Sequence, residues 1–383
     1  MKRQLLGVAA FMLALSAHAQ DNPLWMRYCA ISPDGTSIAF TYKGDIYTVP
    51  VNGGKAAQIT TNAAHDTHPV WSPDGKQIAF ASDRMGSMDI FVVDREGGIP
   101  KRLTTHSGNE TPVAFKDADH ILFLANVMPS AEDAQFPSGQ FQQVYEVSTT
   151  GDRPVMFSSM PMEDISINKT GNALLYHDKK GYEDPWRKHH TSSITRDIWL
   201  CSLDGKRSYR KLTSFNGEDR TPVWASDGKS FYYLSEEKGS FNVFKRALDG
   251  TSSTQLTHHT KHPVRFLTAA DNGTLCYGYD GEIYTMKEGT EPRKVQISIL
   301  TDKNDKDLIR QIRRNGATEI ALSPDAKEVA FILRGDVYVT SVEYKTTKQI
   351  TNTPEQERDI NFAPDGRSIV YASERNGLWQ IYQ

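Results

Sequence analysis

The chain has 383 residues, of which 44 are Lys or Arg and 47 are Asp or Glu, so its formal net charge is −3 at pH 7. A near-neutral balance without basic blocks argues against a nucleic-acid partner and against a polybasic membrane patch. The three cysteines, Cys29, Cys201 and Cys276, are too few for a disulfide framework. Each lies in or beside an expected strand, so we predict small buried apolar residues, with a single bridge as the alternative.

The N-terminus carries the pattern of a secretory signal peptide. Lys2 and Arg3 precede an apolar run over residues 5–15, and Ala17-His18-Ala19 supplies small residues at the cleavage positions. This pattern predicts a signal peptide over residues 1–19, cut after Ala19, and a periplasmic or secreted protein. The run is too short to span a bilayer, and no later stretch approaches that length. The alternative is a tethered N-terminal helix.

One unit then recurs along the chain. It consists of a short apolar strand, a Ser-Pro-Asp-Gly turn, a second apolar strand, a third strand that begins with Asp, and a short fourth strand. The turn occurs at residues 32–35 and 72–75, and variants of it occur at residues 225–228, 323–326 and 363–366. The spacing of roughly 40 to 57 residues is typical of propeller blades rather than helical solenoids.

The repeat predicts an all-β protein made of β-propeller blades with four strands each. We expect a six-bladed propeller over residues 22–297, which closes by side-chain packing because no N-terminal strand is left to complete the last blade. Residues 298–315 break the β pattern and have the polar character of a helical linker. Residues 316–383 would then begin a second propeller, which is incomplete in this chain. The alternative is one seven- or eight-bladed ring with a long loop between blades.

The recurring aspartates are expected to be structural, because they recur with the turn and with the start of the third strand. The chain has no Gly-x-Ser-x-Gly elbow, no His-Glu-x-x-His and no Cys-x-x-Cys, so we predict no catalytic residue, metal or cofactor. His65 and His68 are three residues apart, as are His259 and His262. In a strand this spacing does not place two imidazoles on one face.

Two sets of residues are candidates for binding. The insertion at residues 178–196 gathers cationic and aromatic groups in one loop, where Arg187 and Arg196 could grip a carboxylate and His189 and His190 could add donors; alternatively, the loop only covers a blade edge. The second set precedes the inner strands and would make one channel mouth acidic enough to attract a peptide amino terminus, unless it is an ordinary polar rim. Its members are Glu110, Glu163, Asp164, Glu218 and Asp219.

Two stretches resemble the amino-terminal propeller of tricorn proteases and their secreted bacterial homologues. They are residues 28–51, with Ser32-Pro33-Asp34-Gly35 and Gly44-Asp45-Ile46-Tyr47, and residues 186–199, which are the most specific. The resemblance covers essentially all of the mature chain. It implies a six-bladed propeller, a seven-bladed propeller, a PDZ-like module and a serine peptidase core of the C-terminal-processing type.

The resemblance places the catalytic Ser, His and acidic residue of the family beyond this chain, so no catalytic residue is carried over. It implies a propeller that gates or guides peptides or unfolded polypeptides towards absent peptidase and PDZ-like domains, in a possible homo-oligomer. Two alternatives are a stand-alone periplasmic propeller of the Tol type, with a protein or peptide partner, and the propeller of a dipeptidyl-peptidase-like hydrolase. The Ser-Pro-Asp-Gly units alone resemble both.

Overall fold

The computed structural model describes residues 23–126, 141–182, 192–300 and 312–383. The regular elements in these ranges are all β-strands. The chain divides into two compact units, Met1–Thr301 and Asp302–Gln383, which we describe separately.

The described strands of the first unit form six four-stranded antiparallel sheets, each from consecutive stretches of chain. Sheet 1 contains β1 (Arg27–Ile31), β2 (Ser37–Tyr42), β3 (Asp45–Pro50) and β5 (Ala57–Gln58); sheet 2 contains β6 (Asp66–Trp71), β7 (Gln77–Ser82), β8 (Asp89–Asp94) and β9 (Lys101–Arg102); sheet 3 contains β10 (Glu110–Phe115), β11 (His120–Ala125), β12 (Gln143–Ser148) and β13 (Val155–Ser158).

The other three sheets have the same order, from the inner strand to the outer one. Sheet 4 contains β14 (Met162–Ile167), β15 (Ala173–Asp178), β16 (Ile198–Ser202) and β17 (Tyr209–Lys211); sheet 5 contains β18 (Asp219–Trp224), β19 (Ser230–Ser235), β20 (Asn242–Ala247) and β21 (Ser253–Gln255); sheet 6 contains β22 (Arg265–Ala269), β23 (Leu275–Tyr279), β24 (Glu282–Met286) and β25 (Arg293–Lys294). The short β4 (Gly54–Lys55) and β26 (Ile297–Ser298) pair with each other.

The Ser-Pro-Asp-Gly turn joins the first strand of a blade to the second, as its sequence predicts. In sheet 2 the Ser72 hydroxyl donates to Asp74 Oδ1 at 2.7 Å, and the same carboxylate oxygen accepts the backbone N–H of Lys76 at 3.1 Å. Gly75 has φ +69°, a conformation that favours glycine. The turn aspartate therefore stabilises the turn, which agrees with its structural interpretation.

The polar residue that begins the third strand belongs to a second recurring motif. In sheet 5, Thr257 Oγ1 accepts the backbone N–H of Val243 and donates to Asn242 Oδ1, both at 2.9 Å. In sheet 1, Thr60 Oγ1 likewise accepts the N–H of Ile46 and lies near Asp45. These hydrogen bonds tie the end of the outer strand to the start of the third strand, which agrees with a structural role for Asp45.

The apolar core lies between neighbouring sheets, since each buried cluster draws residues from two of them. The cluster between sheets 1 and 2 includes Ala39 of sheet 1 and Ile78 and Phe80 of sheet 2. Between the same two sheets, Trp71 Nε1 donates a hydrogen bond to the carbonyl of Ala30 at 2.9 Å. Sheet 6 packs against sheet 1 through a cluster that contains both Cys29 and Cys276. The six sheets of the first unit therefore follow one another in a closed ring.

The predicted closure by side chains alone is incomplete, because the backbone also contributes. After β25 the chain returns to the connection between β3 and β5 of sheet 1, where β26 pairs in parallel with β4. The N–H groups of Gly54 and Ala56 donate to the carbonyls of Gln296 and Ser298 at 2.8 and 2.9 Å. We call residues 53–56 and 296–298 the clasp.

The second unit contains two further sheets. One has β27 (Ala317–Leu322), β28 (Glu328–Leu333), β29 (Asp336–Ser341) and β30 (Thr347–Gln349), and the other has β31 (Glu357–Phe362), β32 (Ile369–Ser373) and β33 (Gln380–Tyr382). They pack on each other through a small core that includes Ile332, Val337 and Tyr371.

The structure confirms the prediction of an all-β propeller with four-stranded blades. The three cysteines are buried and free, in agreement with the prediction of small buried residues. The domain boundaries drawn from the sequence stay predictions. The signal peptide, residues 301–311 of the expected helical linker and residues 183–191 of the long loop lie outside the described residues.

Candidate functional site

Each inner strand of the first unit carries a β-bulge, which lies at the same place in five of the six sheets. The pairing of the first strand with the second shifts register between Arg27 and Ala30 in sheet 1, and between Thr67 and Val70 in sheet 2. Equivalent shifts occur in sheets 4 to 6, whereas the shift in sheet 3 is shorter and lies between Pro112 and Ala114. We call the residues at these shifts the bulge ring: Tyr28, His68, Val113, Asp164, Thr221 and Phe266.

Five members of the bulge ring, all except Val113, have φ between +49° and +57°. Non-glycine residues avoid this region at a cost of about 1–2 kcal/mol each, and the conformation is least expected for a β-branched residue such as Thr221. Asp359 in the second unit has the same conformation at a similar shift. The bulge therefore belongs to the fold, whereas the side chain placed on it is a property of each blade.

The bulge ring lines a central cavity of about 1090 Å³ in the first unit. The lining extends along the inner strands, from Pro33 and Pro73 in the Ser-Pro-Asp-Gly turns to Arg196 and Arg220 near the starts of the inner strands. This volume slightly exceeds the usual range of small-molecule pockets, which is roughly 300–1,000 Å³. The cavity is therefore the candidate site.

One sector of the cavity is aromatic. The rings of Tyr28 and His68 lie 3.7 Å apart between centroids, and Tyr28 lies 4.8 Å from Phe266. These residues belong to sheets 1, 2 and 6, which are consecutive in the ring, and we call them the aromatic shelf. Burial lowers the pKa of His68 to about 4, so its imidazole is neutral at pH 7. Burial also raises the pKa of Tyr28.

The sector formed by sheets 4 and 5 is polar. The Thr221 hydroxyl donates to Asp164 Oδ2 at 2.6 Å, and the Thr221 backbone N–H donates to His177 Nδ1 at 3.2 Å. Because Nδ1 accepts this bond, a neutral His177 carries its proton on Nε2, which lies 3.2 Å from Glu163 Oε2. The hydrogen bonds of this sector therefore define which of its polar groups donate and which accept.

Ionisable side chains surround Glu163 and form what we call the charged wall: Glu163, His177, Lys179, Arg196, Glu218 and Arg220. Lys179 Nζ lies 2.7 Å from Glu163 Oε1, and Arg196 lies between Glu163 at 3.3 Å and Glu218 at 2.8 Å. Arg220 Nε lies 3.2 Å from Glu218. Positive and negative groups alternate, so most charges in the wall have an opposite neighbour.

The pKa values in the charged wall follow from this pairing. Burial opposes ionisation of Glu163, but the hydrogen bond from His177 and the charges of Arg196 and Lys179 outweigh it and lower the pKa of Glu163 well below its usual range. Burial lowers the pKa of Arg220 to about 10, against the opposite effect of Glu218. Both groups therefore remain ionised at neutral pH.

The structure places the predicted site residues in different surroundings. Glu163 and Asp164 line the cavity, and Arg196 is buried in the charged wall, where two carboxylates already occupy its guanidinium. Glu110, Glu218 and Asp219 are at most 2% exposed and do not form a rim open to solvent. Arg187, His189 and His190 lie outside the described residues, so their binding role stays a prediction.

Two of the buried carboxyl groups have strongly shifted pKa values. Burial raises the pKa of Glu110 to about 7, although the Thr104 hydroxyl donates to it. Burial likewise raises the pKa of Asp219 to about 7, against hydrogen bonds from Ser235 and Thr213. Such groups favour the protonated form in the folded protein.

Sequence reasoning missed several residues that line the cavity: Tyr28, Thr221 and Phe266 of the bulge ring, and His177 and Arg220 of the charged wall. Four of them, Tyr28, Arg220, Thr221 and Phe266, are the second or third residue of an inner strand, and this recurring position is a signal in principle. However, no glycine or other residue type marks these register shifts in the sequence. The direction of the side chains at the shifts therefore could not be predicted from the alternating pattern.

Within the described ranges, the structure shows no cluster of three or more His, Cys, Asp or Glu side chains suited to a metal ion. No helix found in those ranges is long and apolar enough to cross a membrane.

Comparison with known proteins identifies the family. A family model described as the tricorn protease N-terminal beta propeller domain matches residues 23–292. This chain belongs to that family. The result confirms the resemblance seen in the sequence to the amino-terminal propeller of tricorn proteases.

Relatives of the tricorn propeller align with most of this chain. Tricorn protease homolog 1 from Streptomyces coelicolor is 24% identical over 363 residues, which cover 93% of this chain and 32% of the relative. Tricorn protease from Thermoplasma acidophilum is 25% identical over 332 residues, which cover 83% of this chain and 29% of the relative. The chain therefore spans about a third of the length of these curated relatives.

A solved structure supports the same fold. A crystal structure of the tricorn protease aligns with a TM-score of 0.61 and 17% sequence identity, over 94% of this chain and 35% of that chain. At this identity the likeness extends to the fold of the tricorn propeller and no further.

Proposed function

We propose that the first unit binds extended peptides or unfolded polypeptides in its central cavity and guides them, as the propeller region of a secreted tricorn-like serine protease. The observation that carries this proposal is the cavity along the inner strands, with an aromatic sector opposite a polar one. Apolar lining with a few placed polar groups suits a chain that carries both side chains and peptide groups. Membership of the tricorn propeller family supports peptides as the ligand class.

The proposal can be tested by peptide binding to the purified 383-residue protein. Fluorescence anisotropy of a labelled, unstructured polypeptide is expected to show saturable binding, which an unlabelled unfolded chain displaces and a folded protein does not. Val113→Trp enlarges a side chain that lines the cavity and should weaken binding about tenfold or more, provided that circular dichroism shows the variant to be folded.

A matched control separates filling of the cavity from general damage. Val155 is 59% exposed on the outer strand β13, so Val155→Trp should leave binding unchanged. Equal binding by the wild-type protein and the Val113→Trp variant would contradict a site in the cavity.

We place the peptidase and PDZ-like parts of the proposed protease outside these 383 residues, because the chain spans about a third of its relatives. The purified chain is then expected to bind peptides without cutting them. New peptide amino termini would be measured by mass spectrometry after incubation, and their appearance would contradict this division of labour. Assembly into a homo-oligomer stays a prediction, which sedimentation can test.

Export rests on the N-terminal pattern of Lys2, Arg3, the apolar run and the Ala17-His18-Ala19 site. We expect the mature protein in the periplasmic or secreted fraction with Gln20 as its first residue. N-terminal sequencing of the fractionated protein checks this, and an intact Met1 in a cytoplasmic fraction would contradict it.

A further inference from the structure

Three neighbouring blades place aromatic rings on the bulge ring, whereas the blades opposite place Asp164 and Thr221 there. The fold supplies the bulge in every blade, so this division arises from the residues chosen and not from the backbone. Tyr28 lies at the centre of the aromatic shelf, between His68 at 3.7 Å and Phe266 at 4.8 Å. All three residues are only partly buried and line the cavity.

The three side chains of the shelf keep part of their surface accessible at the cavity while neighbouring groups hold two of them. Phe266 packs against Gly278, where an added Cβ would come within 2.9 Å of the ring, and His68 Nδ1 lies 3.1 Å from the Thr67 hydroxyl. These contacts restrict the movement of the Phe266 and His68 rings. A rigid shelf of aromatic rings loses little conformational entropy when it binds an apolar group.

The charges around the shelf favour an apolar occupant over a cationic one. Asp164 contributes negative potential at Tyr28 and His68, but Arg27 and Arg265 contribute positive potential at Tyr28. The Asp164 carboxylate also accepts a hydrogen bond of 2.6 Å from Thr221. A cation on the shelf would therefore meet two arginines and a carboxylate that already has a partner.

We infer that the aromatic shelf of Tyr28, His68 and Phe266 is a subsite that selects apolar or aromatic side chains of a peptide in the cavity. This inference rests on the proposed function. The polar sector opposite, where Thr221 and Asp164 are held together, faces the peptide groups and disfavours a second apolar side chain at the same level. The shelf would thus bind one side chain of the peptide at a time.

The test uses three labelled peptides that differ in one central residue, Ala, Phe or Lys, within an otherwise identical unstructured Gly/Ser sequence. Anisotropy with the full protein should show binding of the Phe peptide about tenfold tighter than that of the Ala peptide, the size expected for partial burial of one aromatic side chain. Tyr28→Ala should reduce this preference to about twofold or less. Tyr209→Ala, on the outer strand β17, should retain it.

If Tyr28→Ala fails to fold, as judged by circular dichroism, His68→Ala provides an independent reduction of the same shelf. Equal binding of all three peptides would overturn the subsite and leave the proposed function intact. A preference for the Lys peptide would overturn it in favour of selection by Asp164. Absence of binding by any peptide would overturn both the subsite and the proposed function.

Discussion

The hydroxyl of Thr221 donates to the carboxylate of Asp164 over 2.6 Å, and the two residues occupy the same bulge position on the neighbouring inner strands β18 and β14. The bond joins two strained backbone positions directly, since both residues have φ near +50°. Strained conformations persist where the surroundings fix them. Here the side chain of one bulge fixes the next, and the backbone N–H of Thr221 adds a second tie to His177.

We therefore expect Thr221→Val to destabilise the first unit by about 1 kcal/mol, the typical loss for one hydrogen bond to a charged acceptor that water can partly replace. Valine keeps the branched shape and the backbone N–H, so the tie to His177 remains. Urea unfolding followed by tryptophan fluorescence measures the change. Thr111→Val, in the inner strand of sheet 3, is the matched control and should change the free energy of unfolding much less. An unchanged free energy of unfolding in the Thr221→Val variant would show that the hydrogen bond does not stabilise the bulge ring.

The low pKa of Glu163 predicts acid sensitivity. Its folded-state pKa lies below its ordinary value, so its contribution to stability is present above about pH 4.5 and is lost as the pH falls further. At pH 6 the Glu163→Gln variant should be less stable than the wild-type protein, because Lys179 and Arg196 lose their charged partner. At pH 3 the difference should be smaller, because the unfolded chain then holds the proton while the folded protein still favours the carboxylate. Thermal unfolding at both pH values tests this, and a constant difference between the proteins would contradict it.

The raised pKa of Glu110 predicts that the free energy of unfolding falls as the pH rises. Its folded-state pKa is raised to about 7, so the folded protein holds the proton more tightly than the unfolded chain does. Stability from this group is present below about pH 4.5 and is lost as the pH rises towards 7. Glu110→Gln cannot ionise and keeps an acceptor for Thr104, so its free energy of unfolding should fall less between pH 5 and pH 8. Glu291→Gln, at an exposed position, should follow the wild-type profile, and parallel profiles for all three proteins would contradict the prediction.

The sequence predicted the parts of this molecule that local chemistry determines. Ser72, Asp74 and Gly75 specify a turn by themselves, and the repeat of that turn led to the blades and then to the propeller. The candidate site was predicted less well, because it depends on contacts between blades. Arg196 looked like a free ligand-binding cation, yet it pairs with Glu163 and Glu218, residues 33 and 22 positions away. Neither that pairing nor the register shifts of the bulge ring has a local sequence signal.

The clasp likewise has no local sequence signal, because it joins residues more than 240 positions apart. Two adjacent glycines in this region offer a matched pair of substitutions. Gly53 and Gly54 both have positive φ, +89° and +116°. A Cβ on Gly53 would lie 2.4 Å from the carbonyl oxygen of Gln296, whereas one on Gly54 would meet nothing within 4 Å. Both alanine variants carry backbone strain of about 1 kcal/mol, but only Gly53→Ala must also displace the clasp.

Gly53→Ala is therefore expected to lower the melting temperature clearly more than Gly54→Ala does. Hydrogen exchange should locate the damage: the N–H groups of Gly54 and Ala56 bond to Gln296 and Ser298 and should exchange faster in Gly53→Ala. Equal melting temperatures and equal exchange in the two variants would show that the clasp does not stabilise the ring.

The reactivity of the three cysteines can test the same contact between sheets 1 and 6, which we call the seam. All three are buried, and burial raises the pKa of Cys201 and Cys276, so the native protein should react with a thiol reagent only slowly, because the thiolate is the reactive form. Cys29 and Cys276 lie in the core that joins sheet 6 to sheet 1, whereas Cys201 lies between sheets 3 and 4. If the seam opens locally before the whole unit unfolds, Cys29 and Cys276 should be alkylated before Cys201 in low urea, and Gly53→Ala should widen that gap. Pulsed alkylation with mass spectrometry of the separated peptides measures the three rates, and equal rates in both proteins would mean that the ring unfolds only as a whole.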